Sequence, residues 1–125
     1  MEQLAFDGLS IAADTPDAHV SNLILTWRGK SRSRKPSTEI VPYLLKAITL
    51  AKEESKSLIM RFERLDYFNS GTVTAIIQSI HAARAHGVKM RIVYDDAVEW
   101  QRLSFEPMRV FTSDELFSLA ISGEA

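Results

Sequence analysis

Short apolar runs alternate with amphipathic segments along the chain, a pattern that predicts strands separated by helices. Residues 9–12 and 23–28 are two short, mainly apolar runs with alternating character, and the turn-forming residues 14–17 lie between them. This arrangement predicts an N-terminal hairpin. Residues 58–62 form a nearly continuous apolar run, which is typical of a strand covered on both faces. In residues 88–94 apolar positions alternate with basic ones, which predicts a further strand.

An amphipathic helix is predicted between residues 39 and 54. Apolar residues recur there at helical spacing: Ile40, Leu44, Ile48 and Ala51. Pro42 lacks the backbone N–H that a helix interior requires, so it must lie in the first turn of this helix.

A second helix is predicted after residue 70. Its apolar stripe comprises Val73, Ile76, Ile77, Ile80 and Ala83. Either Asn69 or Ser70 suits the N-cap, because a short polar side chain there accepts a hydrogen bond from a free backbone N–H. Gly87 suits the other end, where a left-handed residue closes a helix.

The C-terminal part of the chain is less regular. The stretch after residue 96 is expected to lack secondary structure; it carries Trp100, Phe105 and Pro107. Residues 110–111 are predicted as a last short strand. Thr112 and Glu115 have the spacing of a capping box, which predicts a final helix over residues 113–121.

Together these elements predict an α/β sandwich with a mixed, mostly parallel sheet. The hairpin would supply an antiparallel edge strand, and the strands at 58–62 and 88–94 would be parallel neighbours. The two main helices and the C-terminal helix complete the fold. Five side chains are expected to be buried: Leu44, Ile48, Val73, Ile77 and Ile80. The length of 125 residues fits a single domain.

Composition narrows the class of protein. Hydrophobic residues make up 46% of the chain and charged residues 25%, as in soluble globular proteins, and no apolar run is long enough to span a bilayer. The 15 basic and 16 acidic residues give a formal charge of −1, so no global attraction to nucleic acid is expected. The lack of cysteine excludes disulfides, thiolate zinc sites and cysteine nucleophiles. Residues 1–14 do not resemble a secretory signal, which favours a cytoplasmic protein.

Residues that could carry catalysis are scarce. His81 and His86 lie about 140° apart around the second helix, so a shared metal site is not expected. Asp95 and Asp96 follow a strand and could bind Mg²⁺, but a solvated turn is the preferred interpretation. The chain has no Walker loop, dinucleotide-binding glycine pattern or Gly-x-Ser-x-Gly elbow. We therefore expect no catalytic residues, no metal and no cofactor.

Residues 28–36 form an abrupt change in composition, with five positive charges and no negative ones. An exposed loop is predicted here. It could hold a phosphate-bearing partner or simply be hydrated, and the second interpretation is preferred. Trp27, just before this loop, is predicted to lie in the core at the end of a central strand.

The most informative positions are residues 68–72. A serine at a helix start, beyond the carboxyl end of a strand, lies where open α/β folds place functional groups. A phosphate on Ser70 would face the helix dipole and free N–H groups. The alternative is that Asn69 or Ser70 only caps the helix and Gly71 only lets the backbone turn; local chemistry alone favours this alternative. Thr72 is the fallback acceptor, because its hydroxyl could also be exposed.

The order of elements and the segment Phe68-Asn69-Ser70-Gly71 resemble the STAS domain of bacterial anti-sigma factor antagonists, over about residues 20–120. In that family Asp-Ser-Ser-Gly or Asp-Ser-Ala-Gly precedes the second helix. The serine before glycine is phosphorylated by a partner kinase that doubles as the anti-sigma factor. Phe68 stands where the family usually has an acidic residue. The resemblance implies that Ser70 is the phosphoacceptor and that partner contacts come from Asn69, Gly71, Thr74 and Gln78.

The implied function is that of an interaction module rather than an enzyme. Unphosphorylated, the protein would bind a serine kinase of the histidine-kinase-like ATPase fold and so release a sigma factor or other client. A PP2C-type phosphatase would reverse the modification. Two alternatives stay open: a small-ligand or nucleotide-binding α/β domain that uses the helix start and the basic loop, and a scaffold subunit that is never phosphorylated. Neither nucleic acid nor a membrane is an expected partner.

Overall fold

The computed structural model describes residues 1–14 and 21–123. Within this part of the chain, seven strands form one sheet: β1 (Leu4–Phe6), β2 (Leu9–Asp14), β3 (Asn22–Ser31), β4 (Ser57–Arg61), β5 (Leu65–Phe68), β6 (Met90–Tyr94) and β7 (Phe117–Ile121). The helices of the described residues are α1 (Pro36–Glu39), α2 (Val41–Glu53), α3 (Ser70–Ala85) and α4 (Glu99–Phe105), followed by a 3₁₀ helix over Glu106–Phe111. Pro42 lies in the first turn of α2, as its missing N–H requires.

The sheet has the strand order β1-β2-β3-β4-β6-β7, and β5 pairs with the end of β3. β4 and β6 are parallel neighbours, with Leu58 opposite Met90 and Met60 opposite Ile92, as predicted. β2 and β3 pair antiparallel, which confirms the N-terminal hairpin. Its predicted turn falls mostly on residues 15–17, outside the described residues. β1 and β5 were not predicted from the sequence.

The core lies between the sheet and the helices. Trp27, on β3, is fully buried as predicted, and so are Leu44 and Ile48 of α2. α3 is rotated relative to the prediction: Ile80 is buried, but Val73 and Ile77 are only partly buried. The buried face of α3 consists of Thr72, Ala75, Ile76, Ser79, Ile80 and Ala83.

The predicted C-terminal helix over residues 113–121 is wrong. Phe117–Ile121 forms β7, which pairs parallel with β6. The supposed capping residue Thr112 instead donates its hydroxyl to the carbonyl of Arg109, at 2.7 Å. Pairing with β6 satisfies the backbone of this segment and places Phe117 in the core, and this tertiary gain outweighs the local helix signal.

The predicted last strand at residues 110–111 and the irregular stretch before it are also wrong. These residues form α4 and the 3₁₀ helix. Val110, which is 75% exposed, lies on the outside of the 3₁₀ helix. The three longer helices of the described residues are therefore α2, α3 and α4, and α4 brings Phe105 into the core.

The basic loop predicted at residues 28–36 is in fact the last part of β3 and the connection to α1. β3 continues to Ser31 through an irregularity at Gly29 and Lys30. Gly29 has a φ of +87°, and a Cβ there would collide with the carbonyl oxygen of Gly8, so glycine is required. Ser31 and Ser33 are buried, whereas the basic side chains between and around them are exposed.

Replacing Arg32, Arg34 and Lys35 together with alanine should change the free energy of unfolding by only a few tenths of a kcal/mol, because exposed charges without a partner contribute little. Urea denaturation checks this. Arg84→Ala is the contrast, because the Arg84 guanidinium donates to the Phe111 carbonyl at 2.6 Å and its loss should be measurable. A loss above about 1 kcal/mol in the triple variant would contradict the exposed, unpaired state of these cations.

No helix in the described residues is long and apolar enough to cross a membrane.

Candidate functional site

The candidate site lies where β5 ends and α3 begins. Asn69 is the one residue between them, and its backbone N–H donates to the carbonyl of Ser31 at the end of β3, at 3.0 Å. The start of α3 is therefore attached directly to the carboxyl end of a sheet strand. This is the edge at which open α/β folds place their functional groups.

Asn69 is the N-cap of α3, which decides between the two residues that suited this position. Its side-chain oxygen accepts hydrogen bonds from the Thr72 backbone N–H at 2.9 Å and from the Thr72 hydroxyl at 2.8 Å. Its side-chain nitrogen donates to the Ser33 carbonyl at 2.9 Å. One amide thus caps the helix and fastens it to the segment that follows β3.

The Thr72 hydroxyl is buried, and the expectation that it is exposed is wrong. It lies 2.7 Å from the Ser31 hydroxyl. A hydroxyl has one proton to donate, and that of Thr72 goes to the Asn69 side chain, so Ser31 must be the donor in the second bond. With its hydroxyl enclosed and used in both directions, Thr72 is a structural residue and not a suitable phosphoacceptor.

Ser70, by contrast, is exposed in the first turn of α3 and does not act as the cap. Thr74 and Gln78, also predicted as contact residues, follow at intervals of four and are likewise exposed. Residues four apart lie on one side of a helix. We call Ser70, Thr74 and Gln78 the exposed strip of α3. The structure thus brings these three predicted residues together on one accessible surface.

Gly71 lies at a close approach between two segments and not at a left-handed turn. Its φ is not in the left-handed region, but a Cβ at this position would lie 3.3 Å from Cγ of Pro36 and 3.4 Å from the Ser33 carbonyl oxygen. The interpretation that Gly71 only lets the backbone turn is therefore wrong. The absence of a side chain lets α3 start directly against the connection from β3 to α1.

Phe68 points into the core, which explains a hydrophobic residue at this position. It is 6% exposed, and its ring centroid lies 5.1 Å from that of Trp100 and 5.5 Å from that of Phe105. An acidic side chain here would lose these contacts and would place a charge among aromatic rings. Phe68, which directly precedes Asn69, is therefore held in an aromatic cluster with Trp100 and Phe105.

Ser31 and Ser33 are the residues of this site that the sequence interpretation missed. Both lie in the segment predicted as an exposed loop. The signal present in the sequence is the alternation of Ser31, Arg32, Ser33 and Arg34, which is the period of an extended chain with serines on one side and arginines on the other.

Asn69→Ala should destabilise the protein by about 2 kcal/mol, because it removes the cap and leaves the Thr72 hydroxyl and the Ser33 carbonyl without their partner. Urea denaturation checks this. Asn69→Asp keeps the oxygen that accepts from Thr72 and should cost less. Gln78→Ala, in the exposed strip, is the control and should be close to neutral. A loss below about 0.5 kcal/mol for Asn69→Ala would contradict the capping role.

Two other polar residues singled out in the sequence, His81 and Asp95, have structural partners. His81 packs edge-on against Phe111, with ring centroids 5.4 Å apart. Asp95 shapes a turn: its carboxylate accepts from the Ala97 N–H at 3.0 Å, and its own N–H donates to Gln101. Within the described residues, no three His, Cys, Asp or Glu side chains lie together as metal ligands would.

One carboxylate outside the site has a shifted pKa. Burial alone would raise the pKa of Glu63, but hydrogen bonds from Arg61, at 2.7 Å, and from Ser122, at 2.6 Å, outweigh burial and lower it. The carboxylate is therefore ionised at neutral pH with both oxygens bonded. It joins the ends of β4 and β7 and needs no ligand to satisfy it.

Comparisons with known proteins identify the fold. A scan against models of known families finds no match, and neither does a search of curated proteins. Among solved structures, the anti-sigma factor antagonist SpoIIAA in its unphosphorylated form is 14% identical, covers 91% of this chain and 90% of its own, and gives a TM-score of 0.61. The chain has the STAS fold.

Two further structures with this fold are similar over nearly the whole chain. A chain in the complex of the diguanylate cyclase SiaD with its activator SiaC, from Pseudomonas aeruginosa, is 21% identical and covers 97% of this chain and 98% of its own, with a TM-score of 0.62. Apo-SiaC from the same organism is 17% identical with a TM-score of 0.58 and the same coverage. The predicted α/β sandwich is thus confirmed as the STAS fold.

Proposed function

We propose that this protein is a non-catalytic interaction module in a partner-switching pathway and that phosphorylation of Ser70 controls it. The observation that carries the proposal is the contrast within one helical turn. Ser70 is exposed, whereas the neighbouring hydroxyl of Thr72 is buried and fully used. The Asn69 side chain caps the helical turn that contains both residues by accepting from the Thr72 N–H. Ser70 therefore presents its hydroxyl from a rigid support without serving the fold.

The fold similarity supports this proposal. SpoIIAA, which shares the fold, has been solved in an unphosphorylated and in a phosphorylated form. The phosphorylated SpoIIAA structure, from Bacillus, gives a TM-score of 0.56 with this chain.

In the proposed reaction this chain is a substrate. The Ser70 oxygen attacks the terminal phosphorus of ATP held by the kinase, the bond to the leaving ADP breaks, and the serine proton passes to a base on the kinase. Ser70 lies at the positive end of the α3 dipole, which favours the added negative charge. A PP2C-type phosphatase would restore the hydroxyl by hydrolysis. Since the reaction uses ATP, the proposal places the protein in the cytoplasm.

The switch acts through charge. A phosphate brings about −1.5 to −2 charges to the exposed strip of α3. A partner surface that fits the neutral side chains of Ser70, Thr74 and Gln78 would then meet repulsion and a desolvation cost, without any change of fold. The proposed partner is a serine kinase of the histidine-kinase-like ATPase fold that doubles as an anti-sigma factor. Loss of this contact would leave the kinase free to hold its client.

A second candidate function is that this protein binds and activates an enzyme directly. SiaC is described as the activator of a diguanylate cyclase, and the chain from that complex is 21% identical to this one over almost its full length. The unphosphorylated form of this protein would then bind and activate an enzyme, with Ser70 as the same switch. Pull-down from the native cell with the parent protein separates the candidates, because the first enriches an anti-sigma kinase and the second enriches the enzyme as well.

Intact-mass measurement and phosphopeptide mapping of protein from its native cell test the proposal. We expect a fraction of molecules with one added phosphate, located at Ser70. A phosphate on another residue, or none under any growth condition, would overturn it. If no phosphate is found, the alternative of a scaffold subunit that is never phosphorylated takes its place.

A further inference from the structure

Positive charge is concentrated in one short segment of this protein. Residues 28–35, here called the basic segment, carry five of the 15 basic residues and no acidic one. The remaining ten basic residues face 16 acidic ones, so the rest of the chain has a formal charge of −6. The five basic side chains are exposed, and none forms an ion pair within the described residues.

The structure attaches this segment to the start of α3 through its serines. Ser31 donates to Thr72, and the carbonyl of Ser33 accepts from the Asn69 side chain. The Ser33 hydroxyl accepts from the Lys35 N–H at 3.1 Å, which shapes the turn into α1. With both serines buried, the basic side chains that alternate with them must lie on the solvent side.

The backbone that carries two of these cations lies close to Gly71, the residue after Ser70. The Ser33 carbonyl and the Pro36 ring both pack against Gly71, within 3.4 Å of where its Cβ would be. Arg34 and Lys35 are the two residues between those contacts, and both are exposed. Gly71 directly follows Ser70. The long, exposed side chains of Arg34 and Lys35 therefore start from backbone close to the turn that carries Ser70.

We propose that Arg34 and Lys35 bind the phosphate of phosphorylated Ser70 within the same molecule. This inference rests on the proposed function of Ser70. A guanidinium matches two phosphate oxygens and an ammonium adds a point charge, so the two residues suit a doubly charged phosphate monoester. Five like charges within eight residues also repel one another, and a phosphate among them relieves that repulsion.

The consequence is a second effect of phosphorylation. The basic segment changes from +5 to about +3 when the phosphate is included. Arg34 and Lys35 become engaged within the molecule and are withdrawn from any acidic surface of a partner. Phosphorylation would thus add negative charge to the exposed strip of α3 and remove positive charge from the segment beside it.

Phosphorus NMR on phosphorylated protein tests the inference. Phosphoserine is incorporated at position 70 during translation, so that no kinase is needed, and the second pKa of the phosphate is titrated at low ionic strength. We expect that pKa to lie about half a unit or more below its usual value of about 6. In the variant Arg34→Gln with Lys35→Gln, this pKa should rise most of the way back to its usual value.

The matched control is Lys52→Gln with Lys89→Gln, which removes the same charge from the opposite edge of the sheet. There α2 ends, and the Lys89 carbonyl accepts from the Leu58 N–H near the start of β4. The control should leave the lowered pKa in place. An equal pKa in the parent and the Arg34, Lys35 variant, or an equal shift in both double variants, would overturn the inference. Because the phosphate is installed by translation, this outcome says nothing against Ser70 as the kinase target.

Discussion

Ser70→Ala protein is expected to take up no phosphate from the kinase proposed above and to unfold at the same urea concentration as the parent. The first effect follows because Ser70 is the exposed hydroxyl at the start of α3, whereas that of Thr72 is enclosed. The second follows because Asn69, not Ser70, caps the helix. Alanine is also well tolerated in a first turn, so the change in stability should stay within about 0.5 kcal/mol. Radiolabel incorporation and urea denaturation measure the two effects.

Ser113→Ala is the control for phosphate uptake, because Ser113 is another exposed serine and lies far along the chain from the site. Its phosphate uptake should equal that of the parent. Ser70→Asp should weaken kinase binding, since it places a negative charge where the phosphate would lie. Undiminished labelling of Ser70→Ala, or parent-like binding of Ser70→Asp to every partner, would show that Ser70 is not the switch.

The central part of the fold could be predicted because its signals are local and repeated. The apolar run at residues 58–62 and the alternation at residues 88–94 mark strands whether or not their neighbours are known. In the first long helix, Leu44 and Ile48 recur at helical spacing, and Pro42 fixes where the helix begins. In these elements intrinsic propensity, apolar periodicity and tertiary packing all favour the same structure, so the local pattern alone predicts each of them.

The C-terminal region could not be predicted because its structure depends on partners that are distant in sequence. Residues 117–121 form a strand because they pair with the free edge of β6 and because this pairing buries Phe117 in the core. The capping signal of Thr112 and Glu115 is real as a pattern, but it competes with that pairing and loses. Tertiary contacts decide such segments, and a single sequence does not display them.

The candidate site likewise combines residues that local patterns predict with contacts that only the fold brings together. Ser70 and Asn69 were found because a helix start has a recognisable local pattern. The bond between Ser31 and Thr72 joins residues 41 positions apart, and nothing in the sequence pairs them. The closeness of the basic segment to the start of α3 and the close approach at Gly71 depend on such long-range contacts. These two features could therefore be determined only from the structure.

Phe62→Ala should have the largest effect on stability, a loss of about 3 to 5 kcal/mol. Phe62 is fully buried, and its ring lies 4.7 Å from that of Trp27 and 4.8 Å from that of Phe105, measured between centroids. Removing it opens a cavity between the sheet and α4, and domains of this size have only about 5 to 15 kcal/mol in total. Urea denaturation followed by circular dichroism measures the loss.

Two further variants show whether the loss arises from the cavity. Phe62→Leu fills part of the space and should recover a good part of the stability. Val110→Ala, at a residue that is 75% exposed, removes apolar atoms without opening a cavity and should cost a few tenths of a kcal/mol at most.

Phe68 also packs on this cluster, with its ring centroid 6.3 Å from that of Phe62, and it directly precedes Asn69. Hydrogen exchange of the first turn of α3 should therefore accelerate in Phe62→Ala, since the helix cap loses its support. A loss below about 2 kcal/mol, or unchanged exchange at the start of α3, would show that the aromatic cluster does not support the site.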